Sequence, residues 1–501
     1  MEDKEGGWAR AFARALTVAG LCSILCARTT AAQDLDELLG DLLDDAVPIQ
    51  PSQDAAGAET DAEGLLDDTG LDALLGGESG GWTEDAAGEG TATTLASDPL
   101  QSWKGFLELR PRVYLRDRDE GRNDEQFLFE GELELDFRLA DDVSAYFRPR
   151  IFFDAFDSEL ERYEPYEAYL TLDGGAWDLR FGQFVENWGI VDTFNPIDVV
   201  NRRDFGTDAL DTDRLGELGV RYRRFFRGND TLGEPTVSLY ALPLFRRTPF
   251  PPEDQRFGFA FDEDDGFEPD GIEQALFAAR LQATLATSFM DADVQALVAR
   301  GPERVPTLFT SGAGGTQLPA YFGVFTAGAG FRAVPNEEVA GRFLSTLTLK
   351  AEVVHKTPYA FDDSPVDSPD DYLTGVFGAD RSFYGIFDEL DQLTLTVEYA
   401  RETGADDPAS LFRPFRDDLI LRGLWEANDF ARQSLELRAL LDLDVEERVY
   451  ELLYERQLRS IHPDLQLEIE LRVFDRADPG ESFFSLFPDN SSIAIGLRWD
   501  F

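Results

Sequence analysis

Ile493-Ala494-Ile495-Gly496-Leu497-Arg498-Trp499-Asp500-Phe501 alternates large apolar residues with small or charged ones without a break. Successive side chains on an extended strand point to opposite faces, so Ile493, Ile495, Leu497, Trp499 and Phe501 share one face. The pattern recurs upstream. Leu465, Leu467, Ile469, Leu471 and Val473 alternate with Gln466, Glu468, Glu470 and Arg472. Phe127, Phe129, Leu133, Leu135, Phe137 and Leu139 alternate with Glu130, Glu132, Glu134, Asp136 and Arg138.

A soluble sandwich also alternates, with its apolar face inward. Two features favour a membrane. Most segments run about 9–14 residues, longer than a typical globular strand and right for a tilted bilayer crossing. Their polar faces mix Glu, Asp and Arg, as a wet lumen requires. The sequence therefore predicts an all-β fold, a transmembrane antiparallel β-barrel of about 18 strands, or 16 if the weakest segment fails. The segments run from 105–115 and 125–139, through 273–288, 319–333, 342–357 and 382–388, to 464–475 and 491–501. Short gaps such as 140–142 and 174–175 alternate with long ones such as 185–215 and 247–272. An even count puts both mature termini on the periplasmic side.

Composition agrees. The 501 residues include 98 acidic and 45 basic side chains, a formal charge of −53, which excludes a nucleic-acid partner. Residues 1–32 read as a signal peptide: Arg10 and Arg14 precede an apolar run from Ala15 to Ala27, and Thr30-Ala31-Ala32 is a small-residue cleavage site. Both cysteines, Cys22 and Cys26, fall inside it, so no disulfide is expected in residues 33–501. Residues 33–100 hold 18 acidic residues and no Lys or Arg, the composition of a disordered periplasmic tether. Its leucines at 35, 38, 39, 42 and 43 follow helical spacing and suggest a periplasmic docking partner. Residues 101–501 form the barrel domain.

Residues 185–215 are the most unusual stretch. After Leu179-Arg180-Phe181-Gly182-Gln183 come Trp188-Gly189, Asp192, Phe194, and then Asp198-Val199-Val200-Asn201-Arg202-Arg203-Asp204. This passage resembles a family of uncharacterised bacterial outer-membrane proteins, porin-like or export-barrel-like. Its members carry Trp-Gly, Asp-x-Phe and Asp-Val-Val-Asn-Pro-Arg-Asp after a strand; Arg202 stands here where the family has Pro. The ending Trp499-Asp500-Phe501 looks like the C-terminal signature by which the barrel assembly machinery recognises such proteins. The resemblance implies an outer-membrane barrel surrounded by outer-membrane lipid.

A loop of this length on a wide barrel can fold inward and narrow the pore, as such a loop does in porins; the alternative is an external cap that packs on its own aromatics and closes the barrel wall. Trp188, Asp192, Phe194, Asp198, Arg202, Arg203 and Asp204 are therefore candidate constriction residues. Strand phase gives candidate lumen residues Arg110, Arg112, Glu132, Glu134, Arg148, Arg221, Glu468 and Arg472, with Glu108, Glu130, Arg150, Arg180, Glu398, Arg438 and Glu470 beside them. The function expected is passage of solutes through a polar lumen narrowed by the 185–215 loop. The alternative is a non-conducting structural or docking component of an envelope export system for lipid or polysaccharide.

No enzyme is expected. Only His355 and His462 are available as imidazole bases, and no nucleophile elbow, phosphate loop or zinc motif is present. No cofactor is implied. The acidic stretches Asp262-Glu263-Asp264-Asp265 and Asp362-Asp363 lack a calcium-loop spacing and read as solvated charge rather than a metal site. Deleting residues 33–100 checks the tether: a solvated tail leaves assembly unchanged, whereas a docking motif makes the deletion lose its partner in a pull-down from envelope extracts.

Overall fold

The computed structural model describes residues 99–115, 125–156, 162–206, 212–250, 266–311, 316–361, 367–404, 416–444, 447–475 and 490–501. The signal segment, the tether up to residue 98, and the acidic stretches at 262–265 and 362–363 lie outside these residues.

The described residues form a closed sheet of eighteen antiparallel strands. These are β1 (Leu100–Tyr114), β2 (Glu125–Ala140), β3 (Val143–Asp154), β4 (Arg162–Asp173), β5 (Trp177–Phe184), β6 (Glu217–Phe225), β7 (Thr236–Leu242), β8 (Leu276–Ala286) and β9 (Met290–Pro302). There follow β10 (Gly323–Pro335), β11 (Leu347–Tyr359), β12 (Tyr372–Tyr384), β13 (Gln392–Thr403), β14 (Asp417–Glu426), β15 (Ser434–Asp442), β16 (Arg448–Gln457), β17 (Leu465–Asp475) and β18 (Ser492–Asp500). Each pairs with the next, and β18 pairs with β1 from Phe106↔Asp500 to Tyr114↔Ser492. Closure leaves no unpaired edge for the bilayer to solvate.

The alternation sets which face is out. Leu349, Leu395, Val397, Leu437, Ile493, Ile495 and Leu497 are exposed on the wall, while Lys350, Glu352, Glu398 and Arg472 on the opposite phase are buried. An apolar belt of this extent is stabilised by hydrocarbon rather than water. The short turns and the ends of β1 and β18 lie at one end of the barrel, the turn end. Trp103, Trp499 and Phe501 gather there, with ring centroids 5.4–5.9 Å apart from Phe501.

The strand count is 18 and not 16, and several boundaries differ from the sequence reading; β1, for one, starts at Leu100 rather than at 105. The segment at 382–388 belongs instead to β12, Tyr372–Tyr384, and 385–391 is its turn. Gly375 and Gly378 dilute the alternation there. Gly378 is small because the Glu398 side chain lies across it: an added Cβ would sit 3.1 Å from Glu398 Cγ. The turn is held by Asp391, which accepts from the Phe387 amide at 2.8 Å and the Trp425 indole at 3.0 Å. The segment at 342–357 starts later, at Leu347, because Glu337–Leu344 is helical. Glu337 and Glu338 favour a helix start by facing its positive end. The segment at 319–333 becomes β10, since Thr316–Ala320 pairs with Thr307–Ser311 in a separate hairpin. Gly271–Gln274 is a 3₁₀ turn, so β8 begins at Leu276.

The seam between first and last strands is tight at Gly105. Its amide and carbonyl bond the Phe501 carbonyl and amide, each at 2.9 Å. A Cβ on Gly105 would meet the Glu132 carbonyl at 2.4 Å and the Phe501 ring at 2.9 Å. Gly105→Val should therefore destabilise the barrel by about 1–3 kcal/mol through overpacking. The expected readout is a lower temperature for loss of the compact band in heat-modified electrophoresis.

Candidate functional site

The connection from β5 to β6 runs across the inside of the barrel. It leaves β5 at Phe184 and turns at Trp188-Gly189, where Asn195 folds back so closely that a Cβ on Gly189 would sit 1.9 Å from Asn195 Oδ1. A larger residue at 189 would have to push the Asn195 side chain aside. Trp188 is fully buried, edge-on to Tyr240 of β7 at 5.1 Å and beneath the Arg280 guanidinium of β8 at 5.4 Å.

Two wall carboxylates fasten the segment. Glu352 on β11 accepts the amides of Ile190 and Val191 on one oxygen, at 2.5 and 3.2 Å, and that of Ile197 on the other, at 3.4 Å. Glu398 on β13 accepts the amides of Asp192 at 2.7 Å and Thr193 at 3.1 Å. Lys350 bonds both Asp192 oxygens at 2.9 Å and also pairs with Asp380 of β12. Gln295 of β9 donates to the Trp188 carbonyl at 2.7 Å, and Arg280 to that of Asn187 at 3.3 Å. A segment leaving β5 that meets inward side chains from β7 to β13 can only run through the interior. An amide placed there has no ladder partner, and burying it unpaired is costly.

Apolar contacts hold the same segment on two sides. Trp188, Ile197 and Val200 join Phe184, Tyr240, Leu242, Leu276, Leu297 and Val354. Val191 and Phe205, with Phe194 packed against them, join Tyr114, Val376, Ile420, Leu440, Val449 and Phe474. The second set includes an inward apolar row across β14 to β17, in the register Ile420↔Leu440↔Val449↔Phe474. Phe250 and Leu308, from two other loops, complete this cluster at the loop end.

The charges expected to ring a pore are paired with one another. Arg202 bonds Glu217 at 2.6 Å, and Arg203 bonds Asp198 at 3.0 Å, where Arg214 also pairs. Asp204 holds Arg162 of β4 through two bonds of 2.9 Å. Asn201 accepts the Glu186 amide and donates to the Leu215 carbonyl, both at 3.0 Å. Arg203 lies so deep that burial pushes its guanidinium below its ordinary value, against Asp198.

The wall residues named by strand phase do face inward, and they form a pairing chain. Arg110 meets Glu108 at 2.8 Å and Glu468 at 2.9 Å; Arg112 meets Glu470 at 3.3 Å. Arg472 meets Glu451 at 2.7 Å, and Arg438 meets the same carboxylate at 2.7 Å. On the other side of β1 Arg148 joins Glu132 at 2.7 Å and Arg150 joins Glu130 at 2.7 Å, and further along the wall Arg221 joins Asp178 at 3.3 Å and Glu186. Glu134 takes Lys104 at 3.3 Å and the Tyr146 hydroxyl at 2.8 Å. Arg180 stacks 4.0 Å over Tyr169.

Lys350, Gln295, Arg280 and Asp380 were not singled out by sequence. The signal for Lys350 was its rarity, because the chain has only four lysines: Lys4, Lys104, Lys350 and Lys356. His355 is half exposed on the outward phase, 4.0 Å from Asp371, whereas Glu352 points inward, so the two form no acid–base pair.

No family model matches the chain. No curated protein matches it either. Among solved structures, OccAB3 of Acinetobacter baumannii is 10% identical over 80% of this chain and 99% of its own, with a TM-score of 0.45. Wzi, an Escherichia coli outer membrane protein involved in group 1 capsule assembly, is 10% identical over 79% and 84%, with a TM-score of 0.45. Salmonella typhi OmpF is 11% identical over 80% and 97%, with a TM-score of 0.37. Nothing about the interior is carried over from them. The likeness to the uncharacterised barrel family rests on the motif residues alone.

Glu352→Ala removes the acceptor of three buried amides, at about 1–3 kcal/mol each. Hydrogen exchange at residues 190–197 should quicken while the strands stay protected. Glu352→Gln, which keeps one carbonyl oxygen, should have the smaller effect.

Proposed function

We propose that this chain is a bacterial outer-membrane barrel giving small polar solutes a restricted path that rests closed, with residues 185–206 as the constriction. The observation that carries the reading is the fastening of this segment across the interior by Glu352 and Glu398. Paired charges line the wall around it, so a solute would meet a polar surface with little net attraction for either sign. Trp188, Asp192, Phe194, Asp198, Arg202, Arg203 and Asp204 set the width by position, through contacts that keep the segment in place, rather than as a free charge ring. In this reading the turn end, with both mature termini, is periplasmic, and the β18 strand ending at Phe501 is what the assembly machinery engages.

A second reading is a non-conducting structural or docking component of an export system for lipid or polysaccharide. It is favoured by the apolar cluster at the loop end, which unites three loops with the inner wall.

Planar-bilayer recording of the folded full chain separates the two. The channel reading expects small or infrequent openings from the wild type. It expects several-fold larger conductance from the Glu352→Gln/Glu398→Gln double variant, whose neutral amides hold the segment less firmly. Folded protein that never conducts, in either form, supports the structural reading.

A further inference from the structure

Three guanidinium groups converge on one carboxylate at the loop end of the interior. Arg202 donates to Glu217 Oε1 at 2.6 Å and to the Arg247 carbonyl at 2.5 Å. Glu217 Oε2 lies 3.8 Å from Arg246 and 4.0 Å from Arg304, beyond hydrogen-bond length from both. Arg246 also bonds Gln183 Oε1 at 3.3 Å and the Gly216 carbonyl, while Arg247 is taken by Glu268. Among the described residues, three guanidinium groups face this one carboxylate.

Arg304 is the exception among the interior arginines. Its residue is 5% exposed, yet none of its three guanidinium nitrogens has a hydrogen-bond partner. Its backbone is fixed by the bond its carbonyl accepts from Thr248 Oγ1. Burial lowers its proton affinity, Glu217 raises it, and Arg202 lowers it further. Elsewhere in the barrel Arg472 has two carboxylates within 3.5 Å and Arg221 has two within 3.3 Å. A buried fork of five N–H donors with nothing to accept them, beside two more arginines, is the complement of an oxyanion. Arg246, with a third of its side chain exposed, marks the way in.

We infer that Arg202, Arg246 and Arg304 form a binding site for a phosphate-type oxyanion, with Glu217 holding Arg202 in place. Glu217 shares the inward phase of β6 with Arg221, so the site lies on the interior side of the wall rather than on its outward face. A dissolved phosphate and a lipid phosphate headgroup present the same chemistry, and the test distinguishes them. The site does not depend on the barrel conducting, because binding is read at equilibrium without current.

The experiment is calorimetric titration of the folded full chain, in detergent micelles and chloride buffer, with inorganic phosphate. Wild type should bind saturably. Arg304→Gln should weaken binding about tenfold or more, the effect of losing a charge-assisted contact. Glu217→Gln should tighten it, because the positive excess grows by one. Heat-modified electrophoresis reports that each variant is folded. If Arg304→Gln does not fold, the Glu217→Gln result decides. No saturable binding by wild type, unchanged binding by folded Arg304→Gln, or binding by Glu217→Gln that is not tighter overturns the proposal. A micelle doped with phosphatidylglycerol that displaces phosphate assigns the site to a lipid headgroup; failure to displace assigns it to a dissolved anion.

Discussion

A peptide segment laid across the inside of a barrel carries amide groups that no strand can take up, and the molecule depends on where those amides go. Here Glu352 and Glu398 receive five of them, from Ile190, Val191, Ile197, Asp192 and Thr193. A carboxylate is suited to this because one side chain offers several lone pairs, and a bond to a charged acceptor is stronger than one to a carbonyl. The arrangement serves both partners: the amides satisfy the two buried acids, and the segment is ordered without a strand beside it. Trp188, Val191 and Ile197 can then pack apolar surface against the inner wall.

The remaining interior follows from the same constraint. Charges enclosed by a barrel need partners, since an unpaired buried ion is far costlier than a buried pair. That accounts for the succession Arg110, Glu468, Arg112, Glu470, Arg472, Glu451 and Arg438 around the wall, with carboxylates shared between arginines. Sharing leaves each side chain little rotational freedom.

Much of the architecture was legible because period-two alternation is imposed by strand geometry and a bilayer enforces it on every strand. Phe127 to Leu139 and Leu465 to Val473 needed no further information. The alternation failed at Tyr372–Tyr384, where Gly375 and Gly378 stand inside the strand and Gly378 leaves room for the Glu398 side chain, a reason that lies in the third dimension. The candidate segment was legible as unusual, through Trp188-Gly189 and Asp198 to Asp204. Its partners were not. Glu352, Gln295 and Lys350 lie more than a hundred residues from the atoms they hold, and nothing local to those strands marks them. Free charge and paired charge also look alike in sequence, which is why Arg202 and Arg203 suggested a charged ring and proved to be internal ties.

The seam between β1 and β18 has a consequence for the order in which the molecule forms. Its contacts join residues nearly four hundred positions apart, as Phe106 and Asp500 do, so they carry the largest loop-closure cost and come late. Until they form, the incomplete sheet has two long edges with unpaired backbone groups, a state liable to pair with other chains. The strand that closes the sheet is thus the last of the eighteen to be synthesised. A nascent chain must be kept from sticking through most of its own length before its first strand finds the partner that ends its exposure.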